Sequence, residues 1–192
     1  MIKKNLKTLI LTSVITLLPI AVGLVLWDKL PEQMPVHFDI HGEADSFSSK
    51  AFGVFGLPVF LAALHWICVL GTKSDPKQKN HSDKMVTLVL WVCPLISLLV
   101  SSVIYAQAME LDVDVVFIMC LVLGAMFIVV GNYLPKCKQN YTIGIKVSWT
   151  LNDEENWNAT HRLAGKLWVA GGVLTMLCAM LPPVATFIVM MG

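Results

Sequence analysis

Between Val115 and Leu134 the chain reads VVFIMCLVLGAMFIVVGNYL, twenty residues without Asp, Glu, Lys or Arg. A hydrocarbon core of ~30 Å needs about 20 helical residues at 1.5 Å each, and a backbone buried in lipid must pair its own polar groups. This run therefore reads as a membrane-crossing helix. Four others follow the same pattern: Thr8 to Trp27, Ala51 to Thr72, Met85 to Ala108, and Leu163 to Leu181. Lys166 is the one charged residue among them. None shows the period-2 alternation of an outer-membrane barrel. The 192 residues are 56% hydrophobic and 14% charged with mean hydropathy +0.71, against ~25% charged in a typical soluble domain. A soluble enzyme is excluded. With a net charge of +1, direct nucleic-acid binding through a strongly basic face is not indicated. The expected fold is an all-α integral membrane protein, a bundle of five transmembrane helices with a short apolar C-terminal tail, residues 1–192 forming one membrane domain. The tail follows Pro182 and Pro183 and is too short to cross.

The basic residues orient this bundle. Lys3, Lys4 and Lys7 precede the first run; Lys73, Lys77, Lys79 and Lys84 fall in the second loop; Lys136, Lys138, Lys146, Arg162 and Lys166 lie in or beside the fourth. The first and third loops hold only Lys29 and Lys50, against Asp28, Glu32, Asp39, Glu43, Asp45, Glu110, Asp112 and Asp114. The positive-inside rule then places the amino terminus in the cytoplasm. The first run is longer than a signal-peptide core of 7 to 15 residues and lacks a convincing cleavage site, so it reads as a retained anchor. Pro19, Pro58 and Pro94 predict kinks within spans. No cysteine falls in an external loop, and no disulfide is expected.

Two polar segments hold the chemistry. The external motif loop, residues 28–50, contains His37, Phe38, Asp39, His41 and Asp45. Extended backbone would point His37, Asp39 and His41 to one side, a set that could hold a divalent metal; the competing reading is a solvated loop with internal hydrogen bonds. The cytoplasmic motif loop, residues 135–162, contains Asn140, Gly144, Lys146, Trp149, Trp157, Thr160, His161 and Arg162. Asn152 followed by Glu155 suggests a helix start, with Glu154, Trp157, His161, Ala164 and Trp168 on one face. Trp149, Trp157 and Trp168 suit interface anchoring, and Arg162 and Lys166 suit headgroup phosphates. Gly171, Thr175 and Ala179 form a small-residue row that permits close helix approach.

These motifs resemble the SdpI-type immunity proteins. The first is carried by Leu30-Pro31, Pro35-Val36-His37-Phe38-Asp39, Gly42 and Asp45. The second is carried by Gly131-Asn132-Tyr133-Leu134-Pro135-Lys136, Asn140, Gly144-Ile145-Lys146, Trp149-Thr150-Leu151, Glu155, Trp157 and Thr160-His161-Arg162. The resemblance implies a multipass protein of the bacterial plasma membrane that protects against a secreted, membrane-active peptide toxin. It also implies a relay in which a repressor protein is held at the membrane. Lys146 departs from the arginine of many relatives, and the last span is curtailed where six crossings are usual.

Two functions of different class follow. One is an immunity protein without catalysis or cofactor, its partners a peptide toxin outside, a repressor inside and the lipid bilayer. Its external candidates are His37, Phe38, Asp39, His41 and Asp45; its internal set serves a partner or a structural latch. The other is a small transporter or metal-dependent membrane enzyme built on His37, Asp39 and His41. His65 alone would serve a transport path within the spans, and the H-E-x-x-H, G-x-S-x-G and P-loop patterns are missing.

Overall fold

A computed structural model describes residues 5–182 and 184–186; Lys3, Lys4, Pro183 and residues 187–192, including most of the expected tail, lie outside the described residues. The chain is a helical membrane protein. Helix α1 spans Leu6–Val25 and is followed by a hairpin of β1 (Gln33–Phe38) and β2 (Ala44–Ser49). A π-helical turn, Phe52–Gly56, leads into α2, Leu57–Lys73. Helices α3 (Asp83–Ala108), α4 (Val115–Tyr133), α5 (Ser148–Asn152) and α6 (Glu154–Cys178) complete the described order.

Four helical stretches are long and apolar enough to cross a bilayer: Leu6–Val25, Phe52–Lys73, Asp83–Ala108 and Val115–Lys136. In each, at most 39% of the apolar window is buried, so most of its greasy side chains face outward and need lipid rather than water around them. The fifth expected span differs. Its apolar residues form the second half of α6, a helix that begins on the charged Glu154 and ends at Cys178. From Leu163 that leaves about 16 residues, roughly 24 Å of helix, short of the hydrocarbon thickness. Helices α1 and α3 run through Pro19 and Pro94 without a break, whereas Pro58 stands where the π turn gives way to α2.

Two compact units divide the chain. Of the described residues, the first holds 5–39, 43–73 and 86–113. One of its apolar clusters joins Leu9, Val69, Val86 and Leu90; another joins Leu30, Met34, Val54, Ile104 and Tyr105. Between them lie buried Thr12, Thr16, His65 and Ser97. Ser97 Oγ donates to the Thr16 carbonyl at 2.7 Å, and Tyr105 Oη donates to the Pro19 carbonyl at 2.8 Å. Hydroxyls thus satisfy α1 carbonyls beside its proline, where water is not available to do so.

Of the described residues, the second unit holds 40–42, 74–85, 114–182 and 184–186. Its frame is α4 against α6, antiparallel, with Gly124 facing Gly172 and Gly131 facing Gly165. A methyl group on Gly172 would lie 2.6 Å from the Gly124 carbonyl oxygen, and one on Gly165 would lie 2.7 Å from that of Gly131. The two backbones touch at both levels. The sequence points to Gly171, Thr175 and Ala179 for this purpose, but a side chain at Gly171 would meet nothing within 4 Å. Gly172 takes the place of Gly171 while Thr175 is buried as that row requires, because only a backbone on the facing helix decides which glycine is crowded.

Candidate functional site

The hairpin is built from β1 and β2 paired antiparallel, Gln33 opposite Ser49 and Phe38 opposite Ala44, with register irregularities flanking His37. Leu30 and Met34 enter the apolar cluster with Val54, Ile104 and Tyr105. Lys50 is only 8% exposed; its ammonium donates to the Trp27 carbonyl at 3.2 Å, pairs with Glu32 at 3.0 Å and lies 5.3 Å from the Trp27 ring centroid. The one lysine at the base of the hairpin is therefore neutralised locally. At the tip, Asp39 N–H donates to the Glu43 carbonyl, Glu43 N–H donates to Asp39 Oδ1 at 2.9 Å, and Gly42 adopts φ +82°.

This geometry revises the expected His37, Asp39, His41 set. Strand β1 ends at Phe38, so the alternation that would align the three side chains stops before Asp39. His37 turns its Nδ1 to Asp45 Oδ1 across the hairpin at 2.6 Å, while Asp39 closes the turn and His41 lies exposed in it. Among the described residues no group of three or more His, Cys, Asp or Glu is placed to hold a metal ion. Phe38 is half-buried against the Leu30–Met34 cluster, and Asp45 is exposed. An exposed hydrogen bond such as His37–Asp45 adds little stability. What the hairpin offers is a fixed acidic surface.

The 135–162 segment is a hydrogen-bonded latch around Trp157. That residue is fully buried and donates Nε1–H to the Cys137 carbonyl at 2.7 Å. One helical turn on, His161 stacks on it with ring centroids 4.0 Å apart. His161 Nδ1–H donates to the Trp157 carbonyl at 2.8 Å, which leaves Nε2 to accept the Ile145 N–H at 3.0 Å. These two bonds fix a neutral imidazole. Burial pushes its pKa down, the Trp157 carbonyl opposing that only in part. Gly144 makes the close approach possible: it has φ +119°, and a methyl there would sit 2.5 Å from His161 Nε2. Trp157 is thus a core residue and not the interface anchor its composition suggests; Trp149 is 60% exposed and Trp168 packs on Phe127 with substantial exposure.

Asn140 organises the turn that precedes Gly144. Its buried amide donates to the Lys138 and Ile143 carbonyls, each at 2.9 Å, and to Cys137 Sγ at 3.4 Å. Its Oδ1 accepts the N–H groups of Thr142 and Ile143 at 2.9 and 2.7 Å. Burial pushes the Cys137 thiol up, with the Asn140 contact opposing. Thr150, also buried, donates to the Ile145 and Val147 carbonyls. Around this inner set, Lys146 is exposed with Nζ on the Thr142 carbonyl at 3.0 Å, Arg162 is exposed, and Thr160 is half-buried. Helix α6 starts one residue later than its sequence signal indicates, since Asp153 rather than Asn152 caps it, accepting the Asn156 N–H at 2.9 Å.

Sequence reasoning misses Asp75 and Gln139. Asp75 is buried and accepts from Lys77 N–H at 2.7 Å, Tyr141 N–H at 2.9 Å and Thr142 Oγ1 at 2.8 Å, with His81 Nε2 at 3.2 Å. Burial alone would push its carboxyl up; the hydrogen bonds from Thr142, Lys77 and Tyr141 and the His81 charge more than offset that and hold it below the usual value. Gln139 binds the Thr150 and Leu151 carbonyls and is approached by Lys77 and Asn80. The Asp75-Pro76 pair signals a turn, yet nothing local marks its partners more than 60 residues away.

Fold and sites together define an integral membrane protein whose apolar helices carry two ordered polar motifs, an acid-bearing hairpin and a latched loop. A family model described as a domain of unknown function (DUF1648) matches residues 14–62, covering α1, the hairpin and the start of α2. The model of the SdpI/YfhL protein family matches residues 136–192, covering the latch and α6. The chain is also 29% identical over 177 residues to "Immunity protein SdpI" of Bacillus subtilis (strain 168), covering 90% of this chain and 79% of that protein. The chain is thus similar to the SdpI/YfhL family in its inner segment and to an immunity protein over most of its length. No solved structure matches it.

Proposed function

We propose that this protein is an immunity protein of a bacterial plasma membrane, one that neutralises a secreted, membrane-active peptide toxin by binding rather than by catalysis. The observation that carries this reading is its likeness, across both folded motifs and 90% of its length, to a protein named for immunity. Physical chemistry supports it. With the lysine-rich loops inside, the hairpin faces out and carries Asp28, Asp39, Glu43 and Asp45 against Lys29, Glu32 and Lys50 being paired with each other. Such a surface attracts a cationic amphipathic peptide and raises its encounter rate more than its affinity. His37, Phe38, Asp39, His41 and Asp45 form the outer recognition face.

On the inner side the latch presents Lys138, Lys146, Trp149 and Arg162 outward from a rigid base. This exposed set is the proposed seat of a repressor protein, so that toxin outside and gene control inside meet in one chain. The test is survival. A sensitive bacterium expressing the chain should withstand peptide toxins of related strains. Unchanged killing across the set, with no altered toxin response on deletion in the native host, would refute the proposal.

A further inference from the structure

Beneath the hairpin, within the first unit, lies an apolar recess of about 250 Å³. Its roof is Val36 of β1, its floor Gly53, Gly56 and Leu57, and its far wall Val100 and Ile104 of α3. The space would admit several waters, each of which fills ~30 Å³ in the liquid, but such a lining offers them almost no hydrogen bonds. The strand above has two faces. Met34 and Phe38 pack into or against the cluster beneath and Val36 roofs the recess, whereas His37 points to solvent and pairs with Asp45.

The floor is shaped by the π-helical turn Phe52–Gly56, a rare element that recurs at functional sites. It holds Gly53 against Met34, where a methyl would come within 2.9 Å of the sulfur, and Gly56 against the Phe52 ring, where it would come within 2.8 Å. Phe52 and Phe60 flank the opening and are 55% and 63% exposed.

We infer that this recess takes an apolar side chain of a cationic amphipathic peptide, while the acids of the hairpin hold the peptide's basic face; the inference rests on the immunity reading and names its binding subsite. Charge complementarity selects the occupant. A phospholipid would bring its phosphate toward Glu43 and Asp45, whereas lysines of an amphipathic peptide meet those carboxylates as its leucines enter the recess. Attraction and burial then act on opposite faces of the same ligand, which neither a soluble polar peptide nor a neutral lipid satisfies.

The probe is a dansyl-labelled lysine–leucine amphipathic peptide, titrated against the full chain in phosphatidylcholine nanodiscs. Val100→Phe fills the recess and should weaken binding at least tenfold. Val100→Ala, which adds no bulk, should favour a tryptophan-containing version of the peptide at least threefold over its leucine parent. Asp45→Asn together with Glu43→Gln should slow association at low salt. Affinities that stay within twofold in both Val100 variants overturn the subsite, as does native mass spectrometry showing a phospholipid lost from Val100→Phe while peptide affinity is unchanged. The survival assay separates the two levels. Protection that persists in Val100→Phe rejects the recess and spares the immunity reading; a wild-type chain that never protects rejects immunity, while the titration still decides the recess.

Discussion

Replacing Asn140 by alanine should open the latch without unfolding the helices. The side chain holds two carbonyls, of Lys138 and Ile143, and two amide groups, of Thr142 and Ile143, in a site with no exposed surface of its own. Leaving a buried polar group unpaired costs about 1–3 kcal/mol, and these neighbours share one turn, so their losses do not add in full. A local destabilisation of about 2–4 kcal/mol follows, which raises the open population roughly 30- to 800-fold. Cys137 reports it, being 5% exposed, in contact with the Asn140 amide and roofed by Trp157. In a variant whose other four cysteines are replaced, maleimide labelling of Cys137 should be slow with Asn140 present and accelerate by that factor with alanine. Asn140→Asp retains the acceptor and loses the donor, and should fall between. An acceleration below about fivefold in Asn140→Ala would show that the turn is held by its other contacts and refute the assignment.

Further outcomes follow from the same geometry. Gly172→Ala should lower the detergent melting temperature through a clash of about 1–3 kcal/mol, whereas Gly171→Ala, which meets no neighbour, should leave it unchanged or raise it slightly. The latch should loosen in acid in two stages, read by the same Cys137 labelling. His161 has a folded pKa below its ordinary 6.5, so its contribution is complete above 6.5 and is lost as pH falls through the lower folded value; His161→Gln should remove that stage. Asp75, also depressed, contributes fully above its ordinary 3.8 and loses this as pH falls through its lower folded value, a stage that Asp75→Asn should abolish. For orientation, a cysteine at Ser46 should react with an impermeant thiol reagent in intact cells and one at Asn156 should not; reversed labelling would invert the proposed faces.

The helical membrane class was legible from composition and run length, because lipid imposes a one-dimensional requirement: enough consecutive apolar residues to span it. Val115–Leu134 met that requirement alone. The two motif segments were legible as well. What the sequence could not decide was which partner each side chain would choose. Spacing two aligned His37, Asp39 and His41 only for as long as the strand continued, and it ended at Phe38.

Trp157 reads as an anchor until the Cys137 carbonyl is seen above it, and Asp75 reads as one acid among lysines until Tyr141 and Thr142 close on it. The choice of Gly172 over Gly171 likewise depends on the backbone of α4 standing opposite. Periodicity and solvent preference are properties of a chain and its medium, readable residue by residue. Hydrogen bonds across 20 to 67 residues, and steric contacts between separate helices, exist only once the chain has folded back on itself.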